Sequence, residues 1–279
     1  MSEAVGPDIF RDSTLVSHTK ENLMDDRTLA SLPDFSPWPG RFAQRVVLVT
    51  GASGGLGSAA VERLRREGAV VVATDVVAPV EAPGDDGLSQ GLDVTDPGQW
   101  SQVLEGILGR FGRLDGTLFC HGVQGPETPV DQMPQAGWNR TLEINLTGCL
   151  HGLQAVLPVM REARYGRIVM LASIAGREGN PNMAAYSVSK AGLIALGKTA
   201  AKENARHGIS INCVAPSMFQ TPLLAALSPE RNAELLSRVP MGRVGDPTEF
   251  AALAAWLLSS EASYMTGQTL DLSGGRNSA

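Results

Sequence analysis

Short apolar runs rich in β-branched residues alternate along this chain with longer stretches of helical period. The runs predict strands near 46–49, 70–74, 88–92, 115–119, 167–172, 209–214 and 268–271, and the periodic stretches predict helices over about 58–67, 97–111, 131–163, 184–206 and 247–260. Strand and helix exchange in one continuous series from about residue 41 to 279, which argues a single α/β domain. Short connections and right-handed crossovers restrict such a series to a doubly wound parallel sheet of about seven strands with helices on both faces. Ligands of such sheets sit beyond the carboxyl ends of the strands. Gly51, Asp75, Asp93, Gly122 and Ser173 all fall at or just past such ends, so one crevice can gather them.

The first 40 residues break the pattern. They hold seven acidic and three basic side chains and close on Pro33-Asp34-Phe35-Ser36-Pro37-Trp38-Pro39-Gly40. Residues 1–40 therefore read as a polar N-terminal arm, either a flexible tail or a strap that docks Phe35 and Trp38 on a neighbouring surface; no signal peptide is visible.

Composition narrows the function classes. With 279 residues and 43% hydrophobic content the chain can bury a full core, and its net charge of −6 is spread out, so no basic stripe points to nucleic acid or an anionic membrane. The longest apolar run, 250–258, is too short to span a bilayer. Cys120, Cys149 and Cys213 are widely spaced and lack metal-ligand spacing, the usage expected of buried thiols in a reducing, cytoplasmic setting.

The chemistry begins at Thr50-Gly51-Ala52-Ser53-Gly54-Gly55-Leu56-Gly57, between the first strand and the first helix. Glycines let a backbone approach a ligand closely, and a helix N-terminus offers free amides to a pyrophosphate. The spacing is not the commoner G-x-G-x-x-G, but the strand–turn–helix context that a dinucleotide loop requires is present. Asp75 ends the second strand eighteen residues after Gly57. A carboxylate there either caps a nearby loop or binds the adenosine ribose hydroxyls and repels a 2′-phosphate, favouring NAD over NADP. Ser53, Thr74 and Val76 supply no cation to neutralise such a phosphate.

Tyr186 and Lys190 are four residues apart, one helical turn, so both side chains share a face. A tyrosine hydroxyl ordinarily titrates near pH ~10, and an ammonium beside it favours the phenolate. Alone the pair is a weak pattern. With the glycine turn and Asp75 it resembles a classical short-chain dehydrogenase/reductase, and the resemblance runs from about Arg45 to Gly275. Thr50 to Gly57 is similar to that family's cofactor loop, with Gly51, Ser53, Gly54, Gly55, Leu56 and Gly57 as contacts. Asp93 with Val94 matches its adenine contact, Asn145 its catalytic Asn, and Ser173, thirteen residues before Tyr186, its catalytic Ser. Pro216 and Thr221 fall in the segment that covers the nicotinamide.

The resemblance implies a Rossmann-like fold, an NAD cofactor, a small alcohol or carbonyl substrate and a homotetramer or dimer. The small residues of 184–206 suit close helix packing in such an assembly. In the implied chemistry Tyr186 exchanges the proton with the reacting oxygen. Lys190 tunes Tyr186 and holds the nicotinamide ribose, Ser173 donates to the reacting oxygen, and Asn145 supports a water leading from Lys190 to solvent.

Two departures stand out. Phe119-Cys120-His121-Gly122 replaces the usual Asn-Asn-Ala-Gly, which makes His121 either a pH-sensing group beside the cofactor or tolerated bulk. Ser273-Gly274-Gly275 replaces Asp-Gly-Gly, a change expected to alter loop bonding rather than chemistry.

For the substrate, Met218, Phe219, Leu223, Leu224, Leu227, Leu235 and Leu236 form either an apolar pocket or a helical pair packed on its own core. Arg177, Glu178, Asn180 and Asn182 are either polar substrate contacts or solvated loop residues. The leading reading is an NAD(H)-dependent alcohol dehydrogenase or ketone reductase. A 3-oxoacyl thioester reductase using NADPH and a catalytically idle dinucleotide-binding module are the alternatives.

Overall fold

Val46–Thr50 (β1) is an interior strand, third from one edge, of a seven-stranded parallel sheet whose order is β3-β2-β1-β4-β5-β6-β7. The other strands are Val70–Asp75 (β2), Leu88–Gly91 (β3), Gly116–Phe119 (β4), Gly166–Leu171 (β5), Ile209–Pro216 (β6) and Thr269–Leu272 (β7). The fold is a computed structural model that describes residues 36–79, 87–225 and 228–277. Strand order reverses at β1, which pairs with β2 on one side and β4 on the other, so a crevice opens beyond the carboxyl ends of β1 and β4.

Alternation along β1 sorts its side chains into two cores. Val46 and Leu48 join Trp100, Ile107, Leu153 and Leu193 on one face, whereas Val47 and Val49 join Ala60, Leu64, Phe250 and Ala254 on the other. The first face is covered by Pro97–Phe111 (α2), Gly148–Ala163 (α4) and Ala184–Asn204 (α6), and the second by Gly55–Arg66 (α1) and Pro247–Leu258 (α9). Half of the small-residue stripe on α6 is used internally: Ala185, Gly197, Ala200 and Ala201 are buried, while Ala191 and Ala195 stay exposed.

The helix expected over 131–163 is observed from Gln135 to Ala163, with a π-helical turn inside it and a 3₁₀ turn before it. Val130–Gln132 is a 3₁₀ turn, Gln135–Leu142 (α3) starts after Pro134, and Glu143–Thr147 forms a π-helical turn before α4. A π turn adds one residue to a helix without ending it, so the segment still reads as helix throughout. The buried centre of the turn is Asn145.

Of the N-terminal arm, residues 1–35, Phe35 included, lie outside the described ones. The Trp38 ring is 61% exposed, with the Arg41 guanidinium 5.3 Å from its centroid. Its backbone is held by the fully buried Glu67, which accepts from the Trp38 N–H at 3.1 Å and from Arg63 and pairs with Arg41 at 3.4 Å.

Among the described residues no helix is long and apolar enough to cross a membrane. All three cysteines are buried and unbridged.

Candidate active site

The turn after β1 is built by close contact. Gly51 has φ +65°, and a Cβ there would lie 2.7 Å from the His121 backbone; a Cβ on Gly57 would lie 2.1 Å from the Gly51 carbonyl oxygen. Only glycine fits either position. Gly54 precedes α1 without a side-chain cap, and the first turn of α1 holds no acidic residue. The N–H groups of that turn therefore stay open to an anion, with the positive end of the helix dipole behind them.

Two cavities share this turn. The smaller, about 210 Å³, is lined by Gly51, Gly54, Asp75, Asp93, Val94, His121 and Gly122 among others. Both Asp75 oxygens are oriented by backbone donors, Oδ2 by the Ser53 N–H at 3.0 Å and Oδ1 by the Val76 N–H at 2.8 Å. Asp93 Oδ1 accepts from the Thr95 N–H at 3.0 Å and its hydroxyl at 2.7 Å. The backbone bond and then the hydroxyl bond hold the Asp93 carboxyl below its ordinary pKa.

The larger cavity, about 530 Å³, is lined by Ser53 to Gly57, Gly122, Ser173, Tyr186, Lys190, Pro216 and Thr221, with Ile174, Met218, Phe219, Leu224 and Leu235 as apolar wall. The expected apolar pocket is thus present in part. Leu236 does not line it, and neither Leu227 nor the side chain of Leu223 is among the described positions. Thr221 comes from the loop before Pro222–Ala225 (α7) and lies against the glycine turn: a Cβ on Gly55 would meet Thr221 Cγ2 at 2.9 Å. Pro229–Leu236 (α8) follows.

Ser173 follows β5, and its Oγ accepts from the Ala175 N–H at 3.2 Å, which leaves its own proton free to donate. Tyr186 and Lys190 sit one turn apart near the start of α6. Lys190 is 2% exposed; its Nζ donates to the Leu171 carbonyl at 2.7 Å and lies 5.7 Å from the Tyr186 ring centroid. Asn145 does not line either cavity. Its amide exchanges bonds with the Val123 backbone, accepting from N–H and donating to the carbonyl at 2.8 Å each, and donates to Ser189 Oγ at 3.0 Å. It stands directly behind the site, since a Cβ on Gly122 would lie 3.2 Å from Asn145 Oδ1 and 3.3 Å from Lys190 Nζ.

Burial and packing of His121 weigh against its pH-sensing alternative. Its ring is buried, with Nδ1 2.6 Å from the Thr50 hydroxyl and Nε2 3.3 Å from Cys149 Sγ, so both nitrogens are engaged by protein. Burial, reinforced by the Lys190 charge, pushes its pKa down to about 3. What His121 presents to the turn is backbone, against Gly51. Phe119, in place of an amide, is fully buried edge-on to Trp100 at 5.8 Å.

Because the unfolded chain takes up the His121 proton near pH ~6.5 and the folded chain only near 3, this group costs no stability above pH ~6.5 and destabilises as pH falls below it. At pH ~5 the cost is about 2 kcal/mol. Urea denaturation at pH 7 and pH 5 should show a larger stability loss for the wild type than for His121→Ala by that amount; equal losses would contradict the assignment.

Of the four polar residues read either as substrate contacts or as solvated loop residues, only Asn180 lines the cavity. Arg177 pairs with Asp271, Glu178 pairs with Arg276, and the Asn182 carbonyl accepts from the Thr128 N–H. Arg276, not foreseen from sequence, joins the lining.

The family model described as enoyl-(acyl carrier protein) reductase matches residues 51–277. The chain belongs to the short-chain dehydrogenase/reductase family. It is 38% identical to 2-dehydro-3-deoxy-L-rhamnonate dehydrogenase (NAD(+)) of Sphingomonas sp. (strain SKA58), over 86% of this chain and 98% of the relative. It is 38% identical to the 3-oxoacyl-(acyl-carrier-protein) reductase FabG of Escherichia coli (strain K12), over 84% and 98%. The crystal structure of levodione reductase superposes with a TM-score of 0.79 at 34% identity, covering 84% of this chain and 98% of that one. This short-chain dehydrogenase/reductase is thus similar to oxidoreductases whose substrates differ widely.

Proposed function

We propose that this chain is an NAD(H)-dependent oxidoreductase that interconverts a secondary alcohol and a ketone, with Tyr186 as general acid/base. The observation that carries the reading is the meeting of Ser173, Tyr186 and Lys190 with the glycine turn in one cavity. The residues present fit a dinucleotide. Gly51, Gly55, Gly57 and Gly122 let the backbone of the turn pack closely against its neighbours, the first turn of α1 keeps its N–H groups open to a pyrophosphate, and Asp75 is held by two amides at the end of β2.

In the oxidative direction the substrate hydroxyl proton passes to the Tyr186 oxygen, while the carbinol hydrogen leaves with its electron pair and the C=O bond forms. When bound, the nicotinamide supplies the acceptor of that hydride, or its donor in the reverse direction. Ser173 Oγ, its acceptor face occupied by the Ala175 N–H, donates to the reacting oxygen where negative charge develops. Lys190, held by the Leu171 carbonyl, supplies positive charge beside Tyr186 and a donor for ribose hydroxyls. Asn145 fixes the Val123 backbone and the Ser189 hydroxyl behind Lys190 and acts as a positioning residue.

Asp75 supports NAD over NADP, since each of its oxygens keeps lone pairs for the ribose diol and no Lys or Arg stands at positions 53, 74 or 76. The similarity to a dehydrogenase named for NAD(+) supports the same choice. A 3-oxoacyl thioester reductase using NADPH remains the second reading, favoured by the 38% identity to such a reductase and opposed by Asp75.

Nicotinamide absorbance followed over a panel of secondary alcohols, ketones and 3-oxoacyl thioesters tests the reading; turnover of alcohols or ketones is expected, and turnover of thioesters alone would replace it. In the same assay kcat/KM should favour NAD(H) over NADP(H) by at least about tenfold, equivalent to roughly 1.4 kcal/mol. Asp75→Ala should erode that ratio. Equal use of both cofactors by the wild type would remove the role given to Asp75.

A further inference from the structure

Asn180 lines the large cavity from the loop between Ser173 and Tyr186, and the wall it joins is apolar along Ile174, Met183, Met218, Phe219, Leu224 and Leu235. Three bonds fix the residue. Its N–H donates to Ser187 Oγ at 3.2 Å, its carbonyl accepts from the Met183 N–H at 3.2 Å, and its Oδ1 accepts from Arg276 Nη2 at 3.3 Å.

The third bond sets the orientation of the amide. A guanidinium only donates, so the oxygen of the Asn180 side chain faces Arg276 and the nitrogen faces away from it. Nδ2 meets Met183 Sδ at 3.9 Å, and a thioether is a weak acceptor. An amide nitrogen carries two hydrogens, and the second has no acceptor among the described residues. Asn180 and Met183 are both half-buried, so a ligand oxygen that bonds Nδ2 replaces a poorly matched contact with a full hydrogen bond.

Arg276 is held in place to do this and carries no free charge. Its side chain is 5% exposed, and the nitrogen that bonds Asn180 also donates to Glu178 Oε2 at 2.8 Å. Its backbone N–H donates to the Ser273 carbonyl at 3.3 Å, in a turn where Gly274 and Gly275 take φ of +61° and +86°. Ser273 Oγ accepts from the Asn277 N–H at 3.3 Å, which is the loop bonding that this serine contributes.

The other charged groups of the lining are also engaged. Arg231 pairs with Glu234 at 2.6 Å, Lys190 donates to the Leu171 carbonyl, and the exposed Glu127 accepts from Gln124. A carboxylate drawn against this wall would lose its water and meet paired cations and one neutral amide. An uncharged oxygen needs only the single N–H that Asn180 offers.

We infer that Asn180 Nδ2 donates to a second, neutral oxygen of the substrate, away from the reacting carbon. The preferred substrate is then an uncharged alcohol or ketone that carries a further hydroxyl, carbonyl or ether oxygen on an apolar skeleton, and Asn180 is a specificity-determining residue. The inference rests on the alcohol/ketone reading of the same cavity.

Ketones that differ by a single oxygen test it. Each of 2-, 3- and 4-methoxycyclohexanone is paired with the ethylcyclohexanone of the same substitution, in which CH2 replaces the ether oxygen at nearly equal size, and kcat/KM is read by nicotinamide absorbance. Asn180→Asp keeps the size of the side chain and an oxygen for Arg276 but removes the donor, and Asn180→Ala removes the whole group without adding charge. For at least one position the methoxy-to-ethyl ratio should fall by about threefold or more in both variants. A purely structural role would lower both ketones of a pair alike and leave the ratio where it was.

A ratio that holds at every position in either variant would overturn the assignment and leave the oxidoreductase reading standing. A wild type that prefers 3- or 4-oxocyclohexanecarboxylate to its methyl ester would do the same, since the neutral ester is expected to be favoured by about tenfold or more. Turnover of none of these ketones, with either cofactor, would remove the ketone reading and the assignment together.

Discussion

Tyr186→Phe is expected to lower kcat by ~10²–10⁴-fold, the range for loss of a positioned general acid/base. The substitution removes one oxygen and keeps the ring, so the packing of α6 and of the turn around Gly51, Gly57 and Gly122 stays as it is. Affinity for NADH, followed by its fluorescence, should change by less than about threefold, because the proposed dinucleotide contacts are the glycine turn, Asp75 and Lys190 rather than the phenol proton. A variant that keeps more than about a tenth of wild-type turnover would move the proton-transfer role to another group.

Lys190→Ala should damage both steps. Lys190 is 2% exposed, with Nζ tied to the Leu171 carbonyl and set beside Gly122 and the Tyr186 ring. In the proposed mechanism its removal takes positive charge from the Tyr186 oxygen and a donor from the ribose, and it leaves the Leu171 carbonyl without the Nζ that it bonds. Turnover should fall by ~10²-fold or more, and NADH affinity by at least about tenfold. The contrast between the two variants is the informative part. Loss of turnover with intact NADH binding in Lys190→Ala would assign Lys190 to catalysis alone, and unchanged kinetics would contradict its place in the site. Circular dichroism of the variant separates either result from unfolding.

The sheet was legible because its central strands are short apolar runs buried on both faces, as in Val46–Thr50 and Ile209–Pro216, and because each is followed by turn residues. The glycine turn was legible for the same local reason: Gly51 and Gly57 are forced by contacts within seven residues and with the neighbouring strand end. Asn145 was found by resemblance alone. Its π-helical turn lies inside a segment that reads as helix from 131 to 163, and a helical reading of that segment does not mark which residue the turn buries.

His121 was noticed as a departure, but its partners Thr50 and Cys149 lie 71 and 28 positions away, so its engaged, low-pKa state is a property of tertiary packing. Arg276 was missed for a similar reason. It reaches the cavity through two positive-φ glycines and a partner, Glu178, 98 positions earlier. Residues whose role is set by local spacing were readable; those set by a long-range partner were not.

The most direct measurement of the central claim follows the hydrogen itself. A secondary alcohol that the protein oxidises is prepared with deuterium on its carbinol carbon, and the reduced nicotinamide formed in ordinary water is analysed by mass spectrometry. Hydride transfer inside the cavity requires the deuterium to be recovered on the nicotinamide ring, with the hydroxyl proton released to solvent through Tyr186. Reduced nicotinamide free of deuterium, with the label in the water, would contradict the account.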